Sequence, residues 1–552
     1  MSSPVTVHAL AALTLNGLAL GSVMLAGTLA GEKFVARRER WIIGALAVGL
    51  AGDVVFWTGF WHPPIGRGLA WSALALAVAT IIARRAAAKK ILGEAAPVAL
   101  GATLFVFAAT ALTLLYPRAS VSDTATLRFL AWMPGDNTLP RVLAEIIDSG
   151  NPTRVLGGDW LTSDRPPLQT GVTLLTWPLL KMCGCDLDTA CATAGIWFQA
   201  LWFPTAWLLL RVLGLTARAA VGVTAVLGAT GFFVFNTTYV WPKLGGAAFT
   251  MAAFLLWFFR SDGEEKSTAR IVVGGACAGC AWLSHGGVMF SLLALVPFVI
   301  FELFRRKMWR AWKWAAVAFV VLTTPWLLYQ KFYSPPGNRL VKWHIAGVIP
   351  PDARTVPQAL RDRYREIGWS GVWNARKQNL QMLVLGNFGE SFDWAADAAS
   401  RRTNDIFFPL RTAAAWTLGL VALPWLAWRR RSELRGFVRA HALSLGWLVG
   451  GLVTWVALMF FPQQVFTHQG TLVTQVLLLC LLASWTWHAS RVFFAIVAAV
   501  QCAGFWVTWV GPSTAPLVPL DPLAAGVAVG AGAALLAFAG WALVAQETHS
   551  NA

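Results

Sequence analysis

The sequence predicts an all-α polytopic membrane protein with about fifteen spanning helices, give or take two, and further helices at the interface in its first long outer loop. Three observations carry this. Hydrophobic residues make up 57% of the chain and charged ones only 13%. Runs of roughly twenty apolar residues, the length that crosses a bilayer core of about 30 Å, recur along it. Basic residues stand between those runs rather than in one domain.

Taken in order, spans are expected near 5–29, 41–60 and 67–84, an amino-terminal unit of residues 1–94. A core of residues 95–330 follows. It opens with a span near 95–116 and continues into an outer loop, 117–167. Residues 168–181, opened by Pro166-Pro167, are short for a span and are expected to form a re-entrant or interfacial helix. Spans near 189–211, 219–238, 244–260, 271–284, 288–304 and 312–330 complete the core. A second outer loop, 331–405, is rich in Arg, Trp, Gly and Pro. Spans near 406–428, 438–461, 469–487, 491–511 and 521–545 make up the last unit, 406–552. Leaving 168–181 non-spanning is what puts Arg211, Arg218, Arg260, Lys266 and the 304–313 cluster on the same side as Arg37, Arg38 and Arg40. That side is then cytoplasmic, with the amino terminus outside and the carboxyl terminus inside. The start "MSSPVTVHAL" lacks the basic region of a cleaved signal peptide, so the first helix is expected to be retained.

The formal net charge of +18 does not point to nucleic acid, because the cations are dispersed as topology signals. Cys277 and Cys280 form a CxxC inside an apolar helix without a second pair, which reads as packing. Cys191 would be within reach of a disulfide to Cys183 or Cys185 if the outer compartment is oxidising. Many of the 31 tryptophans, among them Trp57, Trp61, Trp132, Trp241, Trp326 and Trp343, fall at expected boundaries as interface anchors. The spans are nearly free of charge, which disfavours a transporter or flippase of a lipid-linked substrate, whose ionisable groups would sit at mid-membrane.

Polar chemistry collects in the outer loops. Leu139, Val142, Leu143, Ile146 and Ile147 recur at helical spacing, and Gly150 ends the run. Asp136 stands before that helix, either capping it with Asn137 or Thr138 or serving chemistry. Asp159, Asp164 and Arg165 follow in "GDWLTSDRPPLQTG". Lys243 in "VWPKLGG", His285 in "LSHGG", and Arg339, Lys342 and His344 in "GNRLVKWHIAG" are expected on the same face. Carboxylates beside cations at an interface suit a lipid-borne phosphate meeting a polar acceptor.

The acidic residue in "PGDN", the amphipathic helix behind it and "RPPL" opening the next short helix (Asp136; Arg165, Pro166, Pro167 and Leu168) resemble the C-type glycosyltransferase (GT-C) superfamily. That group includes protein O-mannosyltransferases and lipid A aminoarabinose transferases. The likeness covers about residues 95–345. It departs from the family at Asn137, where a second acid is common, which leaves Asp159 or Asp164 as substitutes, a site that works with one carboxylate, or the chain as an inactive scaffold. The resemblance implies a GT-C-like fold in a bacterial inner (plasma) membrane, and transfer of a sugar from a polyprenyl-phosphate donor to an envelope glycan, lipid or protein. Asp136 would be the base, with Asp159 and Asp164 in reserve. Arg165, Lys243, Arg339 and Lys342 would hold the phosphate, supported by His285 and His344. Some relatives use a divalent cation and others none; Asp136, Asp159 and Asp164 would be its ligands if the fold gathers them.

Overall fold

The computed structural model describes residues 2–130, 133, 135–151, 153–259, 267–384, 398–429, 434–460, 472–511 and 518–544. Trp132, Pro134, Arg260 and Lys266, all used above, lie outside the described residues. The chain is an all-α, membrane-type bundle whose described strands are two short ones, Val155–Gly157 and Trp160–Leu161.

Ten helices among the described residues are long and apolar enough to cross a membrane, or twelve if each of two bent pairs forms one span. The remaining expected spans differ for local reasons. Residues 189–211 divide into Leu187–Gln199 and Trp202–Val212. Pro204, in the first turn of the second helix, has no N–H to bond back to Ala200, which favours a break there. The 219–238 segment bends by 77° between Ala217–Leu227 and Gly231–Thr238. A 97° bend precedes Pro409, which disfavours helical geometry in the residue before it. Lys243–Phe258 and Thr268–Ser284 are helices of 16 and 17 residues.

The helix Leu139–Ser149 matches its amphipathic pattern: Leu139, Leu143 and Ile147 are buried while Glu145 is exposed. It ends at Gly150 with φ 73°, and the Gly150 N–H closes onto the carbonyls of Ile146 and Ile147. The next helix, Leu168–Met182, is as short as expected, and the rest of the protein covers it. Every residue from Leu168 to Pro178 is buried. The reason is glycine. A Cβ on Gly52 of helix Arg40–Trp61 would stand 2.8 Å from the Val172 nitrogen, and one on Gly171 would stand 2.3 Å from the Gly52 oxygen. The two backbones touch, and the short helix sinks into the bundle.

At the other end of the bundle, Arg270 bonds Glu39 through both carboxylate oxygens, at 2.9 and 2.6 Å, with both side chains almost wholly buried. This buried ion pair latches the helix Thr268–Ser284 to the start of Arg40–Trp61. Two boundary tryptophans are also core residues: Trp241 and Trp326 are each 1% exposed, whereas Trp61 is 80% exposed. All seven cysteines are free. Cys191 points into the bundle, where it accepts a hydrogen bond from Thr173, while Cys183 is exposed; the expected disulfide does not form.

Candidate functional site

The stretch 155–164 folds into an antiparallel hairpin, Val155 opposite Leu161 and Gly157 opposite Trp160, with Asp159 at its turn. Gly157 and Gly158 adopt φ 155° and 55°, which lets the chain reverse so tightly. A single turn, Thr162–Asp164, then delivers Arg165.

Arg165 reaches back to Asp136: Nη2 donates to Oδ2 at 2.6 Å, with both side chains under a tenth exposed. Trp241 Nε1 donates to the other carboxylate oxygen at 2.8 Å. Asp136 therefore does not cap the helix behind it, and Thr138 at the cap position makes no side-chain cap bond. Asn137 turns the other way. Its Oδ1 accepts from Thr126 and its Nδ2 donates to the Ser122 carbonyl. The position where a second acid would be common is thus spent on fastening the helix Val121–Phe129.

Lys243 is the first residue of its helix and is 2% exposed. Its side-chain nitrogen lies over the Trp241 ring and finds no hydrogen-bond partner among the described residues, and removal from water holds its pKa well below the usual lysine value, with Arg165 pushing the same way against Asp136. The backbone that brings it there is strained: Val240, a β-branched residue, has φ 53°. A buried amide relay holds the strain. Gln169 Nε2 donates to the Val240 carbonyl at 2.7 Å, Gln199 Nε2 donates to Gln169 Oε1 at 2.8 Å, and the Gly245 N–H donates to Gln199 Oε1 at 2.9 Å.

Both histidines join this cluster. Removal from water holds the His285 imidazole well below its usual pKa, and the charges of Lys243, Arg165 and His344 push the same way. The His344 pKa is also lowered, chiefly by removal from water, with Lys243 adding to it against the bond to the Leu340 carbonyl. Their tautomers follow from their bonds. His285 Nδ1 accepts from the Gly287 N–H, so in the neutral ring Nε2 carries the proton. His344 Nδ1 faces the Leu340 carbonyl at 2.6 Å and must donate, which leaves Nε2 as an acceptor.

The remaining expected ligands form a second layer. Arg339 bonds Asp164 at 2.8 Å, Asp159 through both its side chain and its carbonyl, and the Ile349 carbonyl. Burial raises the pKa of Asp164 against the Leu161 N–H and Arg339. Lys342 is fully buried and bonds the carbonyls of Asp352 and Arg354. Two of the four cations expected to hold phosphate, Arg339 and Lys342, are thus occupied in pinning the second long loop to the first and to itself. The indole of Trp160 lies between the layers, with Arg165 over it at 4.6 Å and Arg339 at 5.4 Å. The three carboxylates do not converge: Asp136 faces Arg165, while Asp159 and Asp164 face Arg339. No group of three His, Cys, Asp or Glu residues among the described residues is placed to hold a metal ion, so this carboxylate set does not fit a divalent cation.

Trp241, Trp160, Gln169 and Gln199 escaped the sequence reading. The glutamines carried a signal, as amides inside apolar helices; Trp241 looked like any boundary tryptophan. Compared with protein-family models, with curated proteins and with solved structures, the chain matches none.

Proposed function

We propose that this protein is a membrane glycosyltransferase that moves a sugar from a polyprenyl-phosphate donor to an envelope acceptor, with its site at the outer face. The observation that carries the reading is a buried lysine amine without a hydrogen-bond partner, Lys243, beside a carboxylate held at both oxygens, Asp136. Burial disfavours the charged form of this amine, and an arriving anion favours it again. The first turn of a helix, where Lys243 sits, favours the same charge. Arg165 Nε is also buried without a partner, and His285 Nε2–H is a further donor nearby.

The chemistry needs little more. The acceptor hydroxyl oxygen bonds the anomeric carbon, and the bond from that carbon to the phosphate oxygen breaks with its electron pair on the phosphate. Lys243 and Arg165 hold the developing charge. The hydroxyl proton passes to Asp136, whose carboxylate keeps acceptor capacity beyond its two bonds. Arg165 and Trp241 act on Asp136 by fixing its orientation.

A buried carboxylate in a span, Asp53, favours transport as a second reading. It is 8% exposed and accepts from Trp57 at 3.2 Å. At the adjacent Gly52 the backbone touches that of Gly171. Binding of a radiolabelled polyprenyl-phosphate sugar to purified protein separates the readings. Under the transferase reading, Lys243→Met weakens binding at least tenfold and Asp53→Asn leaves it unchanged; the reverse pattern selects transport.

A further inference from the structure

The second long loop carries a helix pair, Val356–Val384, bent at Gly368, where φ is 61°. Its second half presents two different faces. Arg376, Asn379 and Leu383 turn toward the bundle: Arg376 and Asn379 donate to the Met459 carbonyl, Asn379 also to that of Val456, and Leu383 packs with Phe290, Trp455 and Met459. These partners stand at the ends of two spanning helices, Gly286–Arg305 and Ala440–Leu458. The contacts set the height of the helix at the end of the spans.

Beside that face runs an exposed apolar stripe. Trp369 is 82% exposed, Trp373 67% and Leu380 53%. At about 100° per residue the three fall within a sector of about 40°, and its centre lies about 65° around the helix from the bundle-facing residues. Lys377 borders the stripe on the side away from the bundle and is exposed, as are Arg361 and Arg365 on the preceding half. Two tryptophans and a leucine, a flanking lysine and fixed placement at span-end height are the features of a helix lying in a headgroup layer.

We propose that residues 369–380 form a lipid-docking surface, its Trp369, Trp373 and Leu380 entering the leaflet at the site's end of the bundle and Arg361, Arg365 and Lys377 meeting anionic lipid phosphates. The occupant is the bilayer rather than a glycan because the stripe continues sideways from a face packed on spanning helices, and because Leu380 extends it beyond the reach of two stacking rings. Charge agrees: cations beside an apolar stripe suit an anionic headgroup layer.

The test uses the full-length protein in nanodiscs with Cys183 and Cys185 replaced by Ser. A single cysteine at position 369 or 373 carries an environment-sensitive fluorophore, and a label on exposed Gln378 serves as the control. Both tryptophans are exposed, so Trp369→Cys and Trp373→Cys leave the packing intact. The expected result is blue-shifted emission at 369 and 373, quenched several-fold more by a nitroxide on a shallow acyl carbon than by aqueous iodide, with the opposite preference at 378. Adding phosphatidylglycerol to phosphatidylcholine discs deepens the quenching, and Arg361→Gln with Arg365→Gln and Lys377→Gln removes that increment. Water-like emission and iodide quenching at 369 and 373 would overturn the proposal. So would a blue shift that appears only on adding oligosaccharide, or only as protein concentration rises.

Discussion

At the scale of single residues, the site rests on a charge imbalance. Asp136 has Arg165, Asp159 and Asp164 share Arg339, and Lys243, among the described residues, has the face of Trp241 and no hydrogen-bond partner, with removal from water and Arg165 outweighing the field of Asp136 in lowering its pKa. The sequence placed Asp136, Arg165, Lys243, His285 and His344 on one face, and the structure brings those five together. It could not tell which cations were spoken for, because that depends on which carboxylate the hairpin presents to Arg339. Replacing Arg339 by Leu leaves Asp164 buried without its counter-charge, which costs about 3–5 kcal/mol. A fall in thermal midpoint of the purified protein checks this, and a midpoint within a degree or two of the parent would refute it. The histidines set a pH dependence. Their folded pKa values lie below the ordinary value of about 6.5, so the unfolded chain takes up protons first as pH falls. Stability is then level above about pH 7 and declines as pH drops through about 6.5. Thermal melts across that window should show the decline, and His285→Gln with His344→Gln should flatten it; an equal decline in the double variant would assign it elsewhere.

At the scale of elements, periodicity located helices and missed how they are broken and sunk. Leu139–Ser149 was legible because one face is apolar, Pro140 sits in the first turn and Gly150 closes the end. The hairpin 155–161 was not, since five strand residues are too few to show alternation. The depth of Leu168–Met182 was not legible either. Its apolar run reads alike on a surface or in a core, and the decisive fact, the contact of Gly52 with Gly171, joins residues far apart in sequence. Gly171→Ala forces a methyl onto the Gly52 carbonyl, a backbone atom that cannot turn aside. We expect a loss of about 1–3 kcal/mol and a shift of Arg165, six residues upstream. Ser122→Ala, which removes no bond of the Ser122 side chain to Asn137, serves as a neutral control, since the Asn137 amide uses the Ser122 carbonyl. Equal thermal stability of Gly171→Ala and the parent would show that the helices separate freely.

At the scale of the whole molecule, composition was enough for an all-α membrane bundle, but the number of crossings was not countable from hydropathy. A bend between Leu227 and Gly231, or a break between Gln199 and Trp202, leaves the average apolarity of a window unchanged while dividing the helix. Orientation rests on the basic loops. If the loop 117–167 faces outward, a cysteine replacing exposed Val155 reacts with an impermeant maleimide in intact cells, and one replacing exposed Lys89 reacts only after permeabilisation. The opposite pattern would invert the topology and move the site to the cytoplasmic side. The central claim is that Asp136 serves as the base for sugar transfer from a lipid phosphate. Its most direct test is turnover of a labelled polyprenyl-phosphate sugar by purified protein and by Asp136→Asn. Release of polyprenyl phosphate with transfer of label by the parent, and a fall of at least about a hundredfold in the variant with folding intact, is the predicted result. Undiminished transfer by Asp136→Asn would contradict the account.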